Sequence, residues 1–71
     1  MALSEIVRMA NQIAEFFAAY PHEEAVRETA GHIRSFWDPR MRKELFAHLN
    51  TGGEGLSPIA LEAGRSLLEK A

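Results

Sequence analysis

The sequence predicts an all-α protein, a small bundle of four short helices. Three observations carry that prediction. Apolar residues recur at three- and four-residue spacing along most of the chain, the pattern of one helix face at about 100° per residue. No useful length alternates apolar and polar with period two, as a half-buried strand would. Two cap-then-proline pairs, Asp38-Pro39 and Ser57-Pro58, and a glycine cluster at 52–55 punctuate the helical stretches.

The first helix is expected at about 4–20. Ile6, Met9, Ile13, Phe16, Phe17 and Tyr20 fall on one stripe, with Arg8, Gln12 and Glu15 opposite. Ser4 suits the N-cap, with Glu5 against the positive helix end, and Tyr20-Pro21 closes the helix because a residue before proline avoids the α region. The second helix, about 22–37, opens on Glu23 and Glu24. It turns Ala25, Val26, Thr29, Ala30, Ile33, Phe36 and Trp37 inward and leaves Gly31 on its polar side. The third, about 39–50, starts on the Asp38 cap and carries Met41, Leu45, Phe46 and Leu49 inward. Glycine then stands where a helix must end in a left-handed residue. The last helix, about 58–70, buries Ala60, Leu61, Ala63, Leu67 and Leu68.

At 71 residues the chain makes one domain, 1–71, with a marginal core, since a chain this short buries only about 60% of its unfolded surface. It has no Cys, which removes disulfides and thiolate ligands and leaves a partner or a second copy as the expected support. Eight Lys and Arg against ten Asp and Glu give a net charge of −2, which argues against wholesale binding of nucleic acid. No apolar run approaches the roughly 20 residues of a membrane span, and the N-terminus lacks the basic start and apolar block of a secretory signal. The expected location is cytoplasmic, with no membrane partner.

Chemistry-bearing patterns are absent. Ser4 and Ser57 read as caps and Ser35 and Ser66 as helix surface, so no nucleophile with its base is visible. The acids spread over exposed faces. His22, His32 and His48 lack metal-ligand spacing, and 52–55 lacks the Lys-Ser/Thr of a phosphate loop and the third glycine of a dinucleotide fingerprint. No catalytic, cofactor or metal residue is assigned. Arg42 stands out, because its helix geometry places a cation between Leu45 and Leu49 on one side and Phe46 on the other. Three readings stay open: pairing with an internal carboxylate, snorkelling along its stem, or facing a partner that supplies the anion.

Three blocks carry a resemblance: Arg8-Met9-Ala10-Asn11-Gln12-Ile13 with Phe16-Phe17, then Phe36-Trp37-Asp38-Pro39-Arg40-Met41-Arg42, then Gly52-Gly53-Glu54-Gly55-Leu56-Ser57-Pro58. In this order they resemble the delta subunit of NAD-dependent formate dehydrogenase. The resemblance implies a non-catalytic accessory subunit of a cytosolic complex, supporting its assembly, cofactor maturation or stability. It implies that the bis-molybdopterin guanine dinucleotide of molybdenum or tungsten, the iron–sulfur clusters, the FMN and the NAD side belong to other subunits, with none bound by this chain. The expected partner is the catalytic alpha subunit, with a homodimer for the isolated chain, and the expected contact residues are Trp37, Arg40, Arg42, Phe46, Gly53 and Leu56. The alternative is a free-standing homo-oligomeric helical module that binds an anionic ligand or nucleic acid through Arg40, Arg42 and Lys43.

Overall fold

A computed structural model describes residues 2–70 and places four helices in them: α1 (Leu3–Phe17), α2 (His22–Phe36), α3 (Pro39–Asn50) and α4 (Pro58–Lys70). There is no strand among the described residues. Met1 and Ala71, the ends of the expected domain, lie outside them. The all-α expectation holds. None of the four helices is long and apolar enough to cross a membrane.

Both ends of α1 depart from expectation. The helix begins one residue early, with Ala2 rather than Ser4 at the cap, because Glu5 in the third helical position reaches back and its Oε1 accepts the Ala2 N–H at 3.4 Å. Its far end stops at Phe17, not Tyr20. Ala18 N–H donates to Glu15 O (3.2 Å) and Tyr20 N–H to Phe17 O (3.0 Å), the tightened three-residue bonds of a helix terminus unwinding ahead of Pro21.

The caps of α3 and α4 follow the local code. Asp38 Oδ1 accepts the Met41 N–H at 2.9 Å with Pro39 in the first helical position, and Ser57 Oγ accepts the Ala60 N–H at 3.2 Å. At the end of α3, Gly53 N–H donates to His48 O (3.0 Å) and Gly52 N–H to Leu49 O (3.1 Å), the paired bonds of a Schellman ending. Gly53 has φ +69° and is buried; the left-handed conformation favours glycine, and a Cβ there, 2.6 Å from Leu61 Cδ1, would also have to push that side chain aside.

Packing joins α4 to all three other helices and α1 to α2 and α3, within extents of 29 × 22 × 21 Å. Ile6, Ile33 and Leu45 are fully buried; Trp37, Leu49 and Leu67 join them among the small residues Ala10, Ala14, Ala30, Ala60 and Ala63. Gly64, whose Cβ would lie 2.8 Å from Leu49 Cδ1, lets α4 close on α3. The alanines explain a correction on α1. Its buried line is Ile6, Ala10 and Ala14, rotated by about 70° from the expected stripe at 100° per residue. Small side chains allow close helix approach, so the core takes that line and leaves Met9, Ile13 and Phe17 only half-buried and Phe16 and Tyr20 exposed.

The loop between α3 and α4 is tied to α1 by one side chain. Asn11 Nδ2 donates to Gly55 O, and Asn11 Oδ1 accepts the Ser57 N–H, both at 2.9 Å. His48 Nε2 donates to Glu54 O at 2.7 Å, since a carbonyl only accepts. The first and third sequence blocks singled out above therefore meet in space.

Candidate docking surface

The corner between α2 and α3 is built by a change of backbone direction. Trp37 leaves the helix with ψ 140° and Asp38 follows with ψ 165°, both extended. That step carries the Trp37 indole into the core, where it is 5% exposed, and leaves Phe36, the last helical residue, 75% exposed. The expectation that Phe36 ends the inner stripe is corrected: the end of the core is filled by the indole just beyond the helix.

Arg42 resolves into a capping residue. Its Nη1 donates to Trp37 O at 2.6 Å and to Arg34 O at 3.2 Å, satisfying carbonyls left orphaned at the end of α2. Its internal partners are therefore backbone carbonyls, not the carboxylate of the first of the three readings. The half-buried guanidinium is held beside apolar side chains because both Nη1 donors are used.

Of the six expected contact residues, Arg40 alone is exposed. Trp37 and Gly53 are buried, while Arg42, Phe46 and Leu56 are half-buried. Arg42 and Phe46 line one cavity, Trp37 lines a separate one, and Gly53 and Leu56 pack together in the α3–α4 loop. The structure does not bring the six into one surface.

A different surface emerges. Met9, Ile13 and Phe16 of α1 face His32 and Phe36 of α2 across an open groove of about 640 Å³, which Trp37 and Met41 continue into the corner. No Asp, Glu, Lys or Arg lines it. Phe16 is 74% exposed and meets Phe17 edge-to-face with centroids 5.0 Å apart; Phe17 meets Tyr20 in the same way at 5.8 Å. Across the groove, His32 stacks at a tilt on Phe36 with centroids 4.6 Å apart. Sequence reasoning assigned Phe16 and Phe36 to the core and so missed the groove. The signal was present in α1, whose apolar arc covers about half the helix circumference, more than one packed face of a small bundle uses.

The histidines are dispersed: His32 on Phe36, His48 on the loop, and His22 Nε2 at 2.5 Å from Glu62 Oε2, a solvent-exposed link from α2 to α4. Among the described residues no three His, Asp or Glu side chains come together as metal ligands would.

Residues 5–63, from the first turn of α1 into the first half of α4, match the family described as NADH-dependent formate dehydrogenase delta subunit FdsD. The chain belongs to that family. The match spans all three blocks on which the resemblance rested, so in this delta-subunit chain the Asn11 clamp, the Arg42-capped corner and the glycine loop all lie inside the matched region. No curated protein and no solved structure matches the chain.

Proposed function

We propose that this chain is a non-catalytic accessory subunit that docks on the alpha, catalytic subunit of the formate dehydrogenase complex through the groove between Phe16 and Phe36, and so supports the assembly or stability of that complex. The redox cofactors implied by the resemblance would then sit on the other subunits. Membership of a delta-subunit family supports the association with a complex. The observation that carries the choice of surface is the pair of phenylalanine rings, each about three-quarters exposed, on the walls of one uncharged groove.

A large ring buries 150–250 Å² when covered, so these two offer about 300 Å² to a partner. At about 25 cal/mol per Å² that is about 7.5 kcal/mol, comparable with the cost of immobilising two bodies. The groove is thus a sufficient anchor only within a larger interface, which suits a subunit seated on a much bigger protein.

The test is a Phe16→Ser/Phe36→Ser variant, which removes exposed rings and leaves the buried core intact. The expected outcome is a normally folded chain that no longer co-purifies with the complex, with formate-dependent NADH production by that complex falling as it loses stability. Unchanged stoichiometry and activity would overturn this choice of surface.

A further inference from the structure

Sharing no lining residue with the apolar groove, a second cavity of about 450 Å³ is lined by Arg34, Arg42, Lys43 and Lys70 around Phe46 and Leu67. Half of the eight Lys and Arg residues of a chain with net charge −2 therefore surround one concavity, and no carboxylate lines it. None of the four pairs with an acid among the described residues, where the one ion pair is His22–Glu62. Arg34 and Lys70 lie in the last turns of α2 and α4, where a cation complements the helix dipole. That reason does not extend to Arg42 and Lys43, which sit near the start of α3, the end that disfavours cations.

Arg42 is the centre of the arrangement. Its Nη1 is held by the carbonyls of Arg34 and Trp37, while its Nε and Nη2 make no hydrogen bond among the described residues. A guanidinium held in this way keeps three N–H donors with little side-chain freedom left to lose, which is how an arginine is prepared for a carboxylate.

We infer that this cavity receives an acidic segment of the partner subunit, one that places carboxylates against the four cations and an apolar side chain against Phe46 and Leu67. The inference rests on the docking reading above and adds a second, charged contact at a cavity separate from the groove. Charge complementarity selects the occupant. A small inorganic anion has no use for the apolar wall, and a nucleic-acid backbone needs a continuous basic track that an acidic chain with one such cavity does not offer.

The experiment measures binding of the labelled full chain to complex lacking it, at about 0.05 M and about 0.5 M salt. The test variant is Lys43→Glu/Lys70→Glu, since both residues are exposed and Arg42 must stay to cap α2. Unaltered chain is expected to lose about tenfold in affinity across that range, and the variant to bind about tenfold more weakly at low salt with a flattened salt dependence. A Lys43→Gln/Lys70→Gln variant should fall between them, and matching thermal melts exclude misfolding as the cause. Equal affinity and equal salt dependence for all three chains would overturn the inference. If the charge-reversed chain binds normally while the Phe16→Ser/Phe36→Ser chain does not, the groove stands and this cavity falls; if neither change matters, both fall. Binding of inorganic pyrophosphate to the isolated chain, lost on charge reversal while complex formation is unaffected, would make the cavity a small-anion site and refute the acidic-segment assignment.

Discussion

Replacing Arg42 by methionine separates a capping arginine from a partner anchor, because the first role is visible in the isolated chain. The change keeps an apolar stem of similar reach and removes the bonds to Trp37 O (2.6 Å) and Arg34 O (3.2 Å). The part-buried bond from a charged donor to Trp37 O is worth about 1.5–3 kcal/mol, and the exposed one to Arg34 O adds about 0.5–1 kcal/mol, so the loss is about 2–4 kcal/mol. A domain of this length has a total stability of about 4–10 kcal/mol. The midpoint of thermal unfolding, followed by circular dichroism or by Trp37 fluorescence, should therefore fall by about 10–30 °C. Arg42→Lys should recover part of that loss, since an ammonium can replace the Nη1 donors to the two carbonyls but lacks the fixed plane that aims them. Melting within about 2 °C of the unaltered chain would refute the capping argument and return Arg42 to the role of an unattached surface cation.

Three further outcomes follow from the packing. Thr29 is fully buried and its hydroxyl has no hydrogen-bond partner, so Thr29→Val, of nearly the same shape, should raise stability by about 1 kcal/mol in urea unfolding; a loss would mean that an internal water or a shifted rotamer satisfies the hydroxyl. Gly53→Ala should destabilise by about 1–3 kcal/mol, from φ +69° and the 2.6 Å clash with Leu61, whereas Gly31→Ala, with nothing within 4 Å of the new methyl, should stabilise by about 0.5–1 kcal/mol; equal effects at the two sites would contradict the loop geometry. Asn11→Ala should cost about 2 kcal/mol and sharply speed hydrogen exchange at the Ser57 amide, while the amides in the middle of α2 keep their protection relative to global unfolding; an unchanged Ser57 rate would show that the loop holds without its clamp.

The fold and the candidate surfaces were legible to different degrees. Helix number and most helix ends could be read directly, because Asp38-Pro39, Ser57-Pro58 and the Gly52-Gly53 ending act through bonds within a few residues of themselves. The site was less legible. Arg42 stood out as a cation within an apolar stripe, but its partners are carbonyls freed by the end of another helix. Phe16 and Phe36 were placed inside because a periodic pattern shows that a helix is amphipathic without showing which part of a wide apolar arc is covered.

What the sequence determined by itself was local: four helices with most of their caps and stops, a glycine loop of left-handed residues, and the three blocks shared with a delta-subunit family. Only the tertiary structure decided that α1 packs on its alanines, that Trp37 enters the core while Phe36 stays outside, and that Asn11 clamps a loop far along the chain. It alone gathered Arg34, Arg42, Lys43 and Lys70 around one cavity. The physical reason is range. Caps and turns are set by dihedrals and hydrogen bonds between near neighbours, whereas burial is a competition among all apolar surfaces for one small core. Where Ala10 and Ala14 let two helices approach, the larger rings beside them are left on the surface.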